Sequence, residues 1–545
     1  MARLTGGQAV VESLKAQGVD TVFGIISVHT LDLFDALFDN QDSLRFVGGR
    51  LELGCCYMAD GYSRATGKPG VLLTSTGPGA ADSMGAMGEA YFCSSSVLQI
   101  TTNVEREFIG SGKLATHETK NQLGMFQAVT DWNVMINQVE SIPDHFVEAF
   151  QRFQERRPRP IELEMPTDLL AEQADVEVLL PREPNIPQGD PARVEQALQA
   201  LLNAKRPVIV VGEEVQSQGG TQEIIQLAEK LGAPVVTTDG AKGAFPENHP
   251  LSLGTSLGGR IWGENPVQEW IGSCDVCLVL GSTLPYRSTV GVDLKLPKNL
   301  IHVLLDEESI GKNYDTAIPI VANSQAVAVQ LNQAIGSRDV SKGEEYWKEI
   351  EALKQQTYDV LKKNWGNELH TFEAIRSVTP GDTIFSLDAT VPASRAARCL
   401  SIDQPRQFLS PWGWAGLGFA FPASMGAKVG KPNRPVVCIT GDGGFQYNIQ
   451  ELGTCVQYGI SPIVLVFNDD AWGVLKNYQS TRFGDRLMAT DLVNPDFIKL
   501  ADSYGIEGTR VNTVAELTKA LAQAVTVDRV QLIEVCTPNG FGDFV

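Results

Sequence analysis

Two oxygen-rich segments follow strand-like runs in the last third of the chain. The apolar run 435–440 ends in Gly-Asp-Gly-Gly, with Asp442 as its carboxylate, and the run 463–467 ends in Asn-Asp-Asp at 468–470. Ligands of an open parallel sheet collect at the carboxyl ends of its strands, so the two segments are expected to share one site. Oxygen donors suit Mg²⁺, and glycines beside Asp442 let a diphosphate approach the backbone. An aspartate that only caps a helix is the alternative interpretation of the first segment.

A further acidic position lies near the N-terminus, at the start of a predicted helix. The run 46–49 is strand-like, and the helix is predicted from Leu51 to Ala65, with Glu52 in its first turn. The neighbours of Glu52 include Leu53, Cys55, Cys56 and Met58, which are apolar or weakly polar. A carboxyl group in such surroundings has a raised pKa and is suited to general acid–base work. Taken alone, Glu52 is better explained as a helix-start residue without a chemical role.

Together, these segments resemble the thiamine diphosphate-dependent enzymes. The Gly-Asp-Gly turn and the acidic strand end after it have the spacing of that family's diphosphate motif. The segment 60–67, Asp-Gly-Tyr-Ser-Arg-Ala-Thr-Gly, is similar to the stretch that follows the catalytic glutamate of the acetolactate synthase group. In that comparison Glu52 takes the place of the glutamate, and Leu51 stands where the group has His. The resemblance extends over essentially the whole chain.

The resemblance implies a magnesium ion that holds the diphosphate of the cofactor. Its ligands would be Asp442, Asp469 and the backbone carbonyl of Ala471. The family usually has Asn where this chain has Asp469, and Asn468 is the alternative ligand. Further cofactor contacts implied by the resemblance are Thr76, Gly77, Thr390, Ala415, Leu417, Gly441, Gly443 and Gly444.

The same resemblance assigns roles to the pyrimidine side of the cofactor. Glu52 would bond to N1′ of the aminopyrimidine, the Ala415 carbonyl would accept from its 4′-amino group, and Leu417 would be the apolar wedge beneath the bent cofactor. His29 and His117 are candidate catalytic acids of the pocket, with a purely structural role as an equal alternative for each. The substrate pocket is predicted to include Ile26, Val28, Gln122, Val474 and Tyr478.

Helical and strand-like patterns alternate along the chain, with glycine-rich turns between them. This alternation is typical of the α/β class and predicts doubly wound parallel sheets. The resemblance divides the chain into a pyrimidine-binding domain at 1–172, a central domain at 190–336 and a diphosphate-binding domain at 355–545. A proline- and glutamate-rich stretch from Asp175 to Pro191 is predicted to link the first two domains.

Composition and charge narrow the classes of function. The chain has 545 residues, with 44 Lys plus Arg and 65 Asp plus Glu, for a formal net charge of −21. A surface this acidic argues against nucleic acid and membranes as partners. No signal peptide and no apolar run of membrane-spanning length is recognised, so a cytoplasmic protein is expected. The nine cysteines, including the pair Cys274 and Cys277, are interpreted as reduced core residues.

The reaction predicted first is the non-oxidative decarboxylation of a 2-oxo acid. If the substrate is 2-oxoglutarate, Lys113, Lys120 or Arg482 would meet its distal carboxylate. Acetolactate synthesis, a carboligation, is the alternative, and a non-catalytic regulatory homologue is the alternative from another class. FAD is not expected, because the Arg-Phe-Asp-Asp-Arg run of acetolactate synthases is replaced by Thr-Leu-Pro-Tyr-Arg at 283–287. The family implies a homodimer or a dimer of dimers, with each active site at a subunit interface.

Overall fold

Three α/β units, each built on one parallel sheet, make up the protein. The structure is a computed structural model that describes residues 1–255, 265–289, 291–338, 340, 342–542 and 544. The three sheets confirm the α/β class that the sequence predicts. None of the helices in these described ranges has the length and apolar character needed to cross a membrane.

The first unit contains a six-stranded sheet and a small two-stranded one. Its strands are β1 (Ala2–Thr5), β2 (Thr21–Gly24), β3 (Arg45–Gly48), β4 (Gly70–Thr74), β5 (Val97–Asn103), β6 (Trp132–Met135), β7 (Ile161–Pro166) and β8 (Gln173–Val176). Its helices are α1 (Gly6–Ala16), α2 (Leu31–Phe38), α3 (Glu52–Thr66), α4 (Pro78–Asp82), α5 (Met84–Phe92), α6 (Gln122–Phe126), α7 (Ile142–Glu155) and α8 (Thr167–Ala171). The large sheet is parallel, in the order β3-β2-β4-β5-β7-β6, whereas β1 and β8 pair antiparallel.

The second unit is built on a five-stranded parallel sheet in the order β10-β9-β11-β12-β13. Its elements are α9 (Pro191–Asn203), β9 (Pro207–Val211), α10 (Glu213–Gln218), α11 (Thr221–Leu231), β10 (Val235–Thr237), α12 (Pro266–Gly272), β11 (Val276–Leu280), β12 (Asn299–Leu304), β13 (Ile318–Val321) and α13 (Ser324–Ile335). Cys277 lies within β11, and both it and Cys274 are buried free thiols. This placement agrees with the interpretation of the pair as core residues, since strands covered on both faces are apolar throughout.

The third unit follows a long helix, α14 (Glu344–Val378), and the predicted domain start at residue 355 falls inside that helix. The other elements are β14 (Ile384–Leu387), α15 (Val391–Cys399), β15 (Phe408–Leu409), α16 (Ala420–Gly430), β16 (Val436–Gly441), α17 (Asp442–Phe445), α18 (Leu452–Tyr458), β17 (Ile463–Asn468), α19 (Gly473–Phe483), α20 (Phe497–Ser503), β18 (Glu507–Val511), α21 (Val514–Ala524), β19 (Gln531–Cys536) and β20 (Pro538–Phe541). The sheet is parallel, in the order β15-β14-β16-β17-β19-β18.

The first and third units pack together through α3 and α16. Two glycines permit this close approach of the helices. A Cβ on Gly61 would lie 2.1 Å from the carbonyl oxygen of Ala423, and one on Gly426 would lie 1.8 Å from that of Met58. Any larger residue at either position would push the helices apart. Because Glu52 is the first residue of α3, this packing also fixes where its carboxyl group lies.

Candidate active site

The carboxyl ends of β14, β16 and β17 line a cavity of ≈ 210 Å³ in the third unit. The three strands are neighbours in the sheet, so the turns that follow them meet at one edge. Many of the residues predicted to bind cofactor, metal or substrate line this cavity: Thr390, Leu417, Gly441, Asp442, Gly443, Gly444, Asp469, Ala471 and Val474. The fold therefore brings together the diphosphate side of the predicted site.

Asp442 and Asp469 lie close enough for a hydrogen bond between their carboxyl groups. Burial raises the pKa of Asp469 to about 7, and the charge of Asp442 adds to this effect. Burial also raises the pKa of Asp442, although Asn494 Nδ2 donates to its Oδ2 at 2.6 Å. Two carboxyl groups held in contact in this way are stabilised when they share a cation, and their oxygen atoms suit Mg²⁺.

The protein supplies only part of an octahedral magnesium shell here. Among the residues that the structure describes, no group of three or more His, Cys, Asp and Glu side chains could hold a metal ion. Magnesium usually takes one or two carboxylates from a protein and completes its shell with waters and phosphate oxygens. The pair Asp442 and Asp469, with the Ala471 backbone in the same wall, fits such a partial shell.

Three glycines, Gly441, Gly443 and Gly444, line the cavity beside the two carboxylates. A Cβ on Gly443 would lie 2.5 Å from the ring of Trp472, and one on Gly444 would lie 2.8 Å from Asp388 Oδ2. The Thr390 hydroxyl is buried in the cavity wall and finds no hydrogen-bond partner in the described part of the chain. A phosphate oxygen would satisfy this hydroxyl, so the residues present fit a magnesium-bound diphosphate.

The alternative ligand, Asn468, points elsewhere. Its Nδ2 donates to Glu534 Oε1 at 2.9 Å, and its Oδ1 accepts from the Asp470 amide at 3.1 Å and from Asn494 at 2.9 Å. Asn494 bridges the two strand ends, because it also donates to Asp442, yet it belongs to no motif in the sequence. A polar residue in the irregular segment before α20 was the one available signal, and it is too weak to single out Asn494.

A second cavity, of ≈ 680 Å³, adjoins the first and shares Thr390 and Val474 with it. Ala415 and Tyr478 line this second cavity. Its wall is rich in basic side chains: Arg287, Arg395, Arg398 and Arg482. The guanidinium of Arg482 stacks over the Tyr478 ring, 4.2 Å from its centroid. Asp239 and Asp388 line the same wall. Arg398 pairs with Asp239 and Arg395 with Glu368, so Arg482 is the candidate to meet an anionic group here.

In the first unit, Glu52 lies against the turn that follows β4. A Cβ on Gly79 would approach Glu52 Oε1 to 2.9 Å. Burial raises the pKa of Glu52, and the nearby charge of Asp82 adds to this effect. A raised pKa suits a carboxyl group to general acid–base work.

Gln122 holds the same turn from the other side. Its Oε1 accepts from the Thr76 hydroxyl at 2.9 Å and from the Gly77 amide at 2.7 Å. Its Nε2 donates to the Thr102 carbonyl at 2.8 Å and to Glu164 Oε2 at 3.2 Å. The amide of Gln122 is thus fully used within the protein, so it would support the pocket through Thr76 and Gly77 rather than by direct contact.

His29 and His117 form a pair beside this turn. Their ring centroids are 4.9 Å apart, and the backbone of His117 passes Gly77 so closely that a Cβ there would lie 2.7 Å from the His117 carbonyl oxygen. Burial lowers the pKa of His29, and the proximity of His117 lowers it further. The Nδ1 atoms of both rings are buried and have no hydrogen-bond partner within the described ranges. They are available to a bound molecule.

The predicted acid–base residues do not line the cavities that hold the predicted diphosphate residues. The two cavities of the third unit are lined by residues from 239 onward, and Glu52, His29 and His117 are absent from both walls as the described residues define them. Two predicted pocket residues of the first unit, Ile26 and Val28, are 55 % and 71 % exposed. As the described residues define them, the two cavities thus contain the diphosphate side of the predicted site without its acid–base residues.

Three parallel-sheet units, with paired carboxyl groups and glycines in a cavity at one sheet edge, are typical of a class of cofactor-dependent enzymes. Family models identify that class. The N-terminal TPP binding domain of thiamine pyrophosphate enzymes matches residues 4–128, the central domain of these enzymes matches 194–331, and their C-terminal TPP binding domain matches 388–535. The chain belongs to the thiamine pyrophosphate enzyme family, as the resemblance predicted, and it is a thiamine diphosphate-dependent enzyme.

Similar proteins carry several activities. A probable acetolactate synthase large subunit of Methanocaldococcus jannaschii is 31 % identical over 98 % of this chain and 92 % of its own. A probable 2-ketoarginine decarboxylase of Pseudomonas aeruginosa is 32 % identical over 98 % of this chain and 94 % of its own. Among solved structures, a thiamine diphosphate-dependent 4-hydroxybenzoylformate decarboxylase of Rhodococcus jostii has a TM-score of 0.83 at 24 % identity and covers 98 % of this chain and 99 % of its own, which shows the shared fold.

Proposed function

We propose that this enzyme decarboxylates a 2-oxo acid non-oxidatively to an aldehyde, with thiamine diphosphate held through Mg²⁺. The observation that carries the proposal is the contact between Asp442 and Asp469 in the wall of a cavity, because a shared cation would offset the repulsion between the two carboxylates and the cavity leaves space beside them for a diphosphate. In this proposal Asp442, Asp469 and the Ala471 carbonyl bind Mg²⁺. Thr390 and the glycines at 441, 443 and 444 bind the diphosphate.

When bound, thiamine diphosphate supplies a carbon nucleophile for the 2-oxo group and an electron sink for the loss of CO₂. Glu52, whose pKa is raised beside the Gly79 turn, would bond to a ring nitrogen of the aminopyrimidine. Leu417 would pack against the cofactor, and the Ala415 carbonyl would accept from its amino group. His29 and His117, with Nδ1 atoms that are free to bond, move a proton at the substrate side of the site.

The active site in this proposal is completed by a second copy of the chain. The first unit of one subunit would supply Glu52 and the histidines, and the third unit of the other would supply the diphosphate cavity. The absence of Glu52 and the two histidines from the walls of both cavities, as the described residues define them, supports a homodimer or a dimer of dimers. Mixing Glu52→Gln and Asp442→Ala subunits tests this, because a shared site would restore about a quarter of wild-type activity from two inactive proteins. A mixture that stays inactive after proven subunit exchange contradicts the shared site.

We also propose that the substrate carries a second carboxylate, with 2-oxoglutarate as the first choice. Arg482 lies in the cavity next to the diphosphate site, where it can meet a distal anion. The other two candidates lie in the first unit, where Lys113 is exposed and stacks over Phe108 at 5.3 Å.

Acetolactate synthesis is the second candidate, favoured by the names of several relatives. Against it, Tyr478 stands where the acetolactate synthase group has the Trp of its acceptor pocket. The enzyme is also proposed to work without FAD. The first strand of the central sheet, β9, is followed by two buried carboxylates, Glu213 and Glu214, at the edge where dinucleotide phosphates bind in such sheets. A purified protein without flavin absorbance is expected, and a stoichiometric flavin would favour the synthase.

A screen of 2-oxo acids tests the proposed reaction most directly. The purified enzyme with thiamine diphosphate and Mg²⁺ is incubated with pyruvate, 2-oxobutyrate, 2-oxoglutarate and 2-ketoarginine, and CO₂, aldehyde and acetolactate are measured separately. We expect the aldehyde of the dicarboxylic substrate as the main product. Acetolactate from pyruvate at a higher rate would establish the carboligation instead, and no turnover of any 2-oxo acid would favour a non-catalytic homologue.

A further inference from the structure

The loop between β15 and α16 carries two of the proposed cofactor contacts, Ala415 and Leu417. This loop comprises residues 411–418. Ala415 has a φ of +57°, which lies in the left-handed region that residues with a side chain rarely adopt. Such a conformation persists only where neighbouring groups hold it. The direction of the Ala415 carbonyl therefore depends on what fixes the loop.

One end of the loop is held within the third unit. The Gly418 amide donates to both carboxyl oxygens of Asp388, at 3.1 Å each, and its carbonyl accepts from Asn448 Nδ2 at 2.8 Å. The start of the loop is tied to the first unit instead. Arg64, paired with Asp60, donates to the carbonyl of Ser410 at 2.9 Å.

The middle of the loop rests on a carboxylate of the first unit. Glu89, on α5, is fully buried. Its Oε1 accepts from the Gly413 amide at 3.2 Å, and its Oε2 accepts from the Gly416 amide at 3.4 Å. The two oxygen atoms thus hold the peptide groups on either side of Trp414 and Ala415. A carboxylate can do this because both of its oxygens are acceptors, whereas an amide side chain offers only one.

Packing against α5 reinforces these hydrogen bonds. A Cβ on Gly88 would lie 2.3 Å from the Trp414 ring, and one on Gly413 would lie 2.3 Å from Phe92 Cβ. The loop therefore follows the surface of α5 without space for adjustment, and Glu89 is the polar group at the centre of that surface.

We propose that Glu89 is a positioning residue for the cofactor. It holds Ala415 in the left-handed conformation and so directs the Ala415 carbonyl toward the aminopyrimidine, although Glu89 belongs to the first unit and does not line the diphosphate cavity. The proposal rests on the proposed function, since it assumes that thiamine diphosphate contacts Ala415. It assigns a role to a residue that lies outside every motif of the sequence.

The test is the variant Glu89→Gln in the full-length protein, with Cys93→Ser as its matched control. Cys93 Sγ donates to the same Oε1 at 2.9 Å but does not hold the Gly413 or Gly416 amide. In Glu89→Gln the NH₂ group faces one of the loop amides, so that hydrogen bond is lost. We expect thiamine diphosphate, titrated calorimetrically with Mg²⁺, to bind about 10-fold or more weakly. The circular dichroism of the bound aminopyrimidine should change as well, while Cys93→Ser matches the wild type in both measurements.

Hydrogen exchange of the wild-type and Glu89→Gln apoproteins gives a second measurement that needs no cofactor. With ¹⁵N-labelled glycine, the amides of Gly413 and Gly416 should exchange slowly, and the same amides should exchange about 10-fold or more rapidly in Glu89→Gln. Rapid exchange in the wild type, or unchanged cofactor affinity and dichroism in the variant, would overturn the role of Glu89. A wild-type protein that does not bind thiamine diphosphate at all would overturn the proposed function instead, whatever the exchange rates.

Discussion

The first and third units share one strand order but differ in the chemistry at the carboxyl edge of the sheet. In each, the first strand of the sheet lies between the second and the third, and the last two strands exchange places. The edge of the third sheet presents two carboxyl groups in contact, within a cavity. The edge of the first sheet presents one carboxyl group, Glu52, and a pair of histidines. The shared topology therefore places a site at the same edge of each sheet, whereas the residues at the strand ends determine the chemistry of that site.

The largest effect should come from the third unit. Replacing Asp442 with Ala leaves a shared Mg²⁺ with one carboxylate, so we expect no measurable retention of thiamine diphosphate. The apoprotein should unfold at the same temperature or a higher one, because a buried carboxyl group with a raised pKa has been removed. Calorimetric titration measures the binding, and thermal unfolding measures the stability.

Asp470→Ala is the matched control for Asp442→Ala. Asp470 lies at the same strand end and accepts from Asn494 at 2.9 Å, but it does not line the cavity. Its replacement should leave cofactor binding close to that of the wild type. Equal loss of binding in the two variants would mean that the strand end needs its overall charge rather than a ligand at Asp442.

The variant Glu52→Gln tests whether the first unit contributes to the rate of catalysis rather than to cofactor affinity. Gln keeps the shape of the side chain but cannot supply an acidic proton, so kcat should fall about 10²–10⁴-fold while cofactor affinity changes little. Exchange of the cofactor C2 proton in D₂O, followed by NMR after an acid quench, measures the activating step. Wild-type exchange in the variant would remove Glu52 from the mechanism.

The nearby charge of Asp82 provides a test of whether the pKa of Glu52 controls the activating step. Asp82 adds to the raised pKa of Glu52, so Asp82→Asn should move the Glu52 pKa downward. The pH at which the C2-proton exchange rate falls should move to lower values accordingly. A profile that does not move would indicate that another group controls the exchange.

The sequence predicts much of this site because its key residues follow strands. Asp442, Asp469 and Ala471 come directly after apolar runs, and a parallel sheet necessarily brings such positions together. Asn494 and Glu89 could not be predicted in the same way. Each acts through contacts with residues far along the chain, in an irregular segment and in the middle of a helix, where no local pattern marks them.

The alternation of helices and strands predicts the fold class, but it does not predict the domain boundaries. Helix α14 spans Glu344 to Val378 with a kink at Trp365, whose φ of −139° and ψ of 47° are not helical, and the predicted start of the third domain at residue 355 lies before that kink. The completion of the site by a second chain came from the family resemblance. Within the described structure, its support is that Glu52 does not line the cavity that contains Asp442.

The next prediction concerns Arg482, which lines the larger cavity of the third unit and is proposed to bind the distal carboxylate of the substrate. If the substrate carries a distal carboxylate, Arg482→Ala should raise its KM about 10–100-fold, the value of one charge-assisted hydrogen bond, with a smaller change in kcat. The KM of a 2-oxo acid without a second carboxylate should not change. Arg486, exposed in the segment after α19 and absent from the cavity wall, is the control. Equal effects of both arginines on KM would reflect the general charge of this surface.

The smallest expected effect is on stability. The first and third sheets each contain a buried glutamate on a strand, and the two residues are expected to affect the pH dependence of unfolding differently. Burial raises the pKa of Glu162, on β7, well above its ordinary value of 4.5, and the neighbouring Glu164 adds to this effect. The folded protein therefore keeps a proton that the unfolded chain releases, and stability falls as the pH rises from 4.5 toward the folded pKa. The slope is about 1.4 kcal/mol per pH unit for each such group.

Glu162→Gln should remove this slope, so that the unfolding temperature of the variant exceeds that of the wild type at pH 8 and approaches it near pH 4. Glu534, on β19 of the third sheet, is the comparison. It accepts from Arg510 at 2.8 Å and from Asn468 at 2.9 Å, so Glu534→Gln should destabilise the protein with no gain at high pH. Thermal unfolding from pH 4 to 8 measures both variants. A Glu162→Gln curve parallel to that of the wild type would mean that this carboxyl group is already ionised in the folded protein, and the contrast between the two sheets would then disappear.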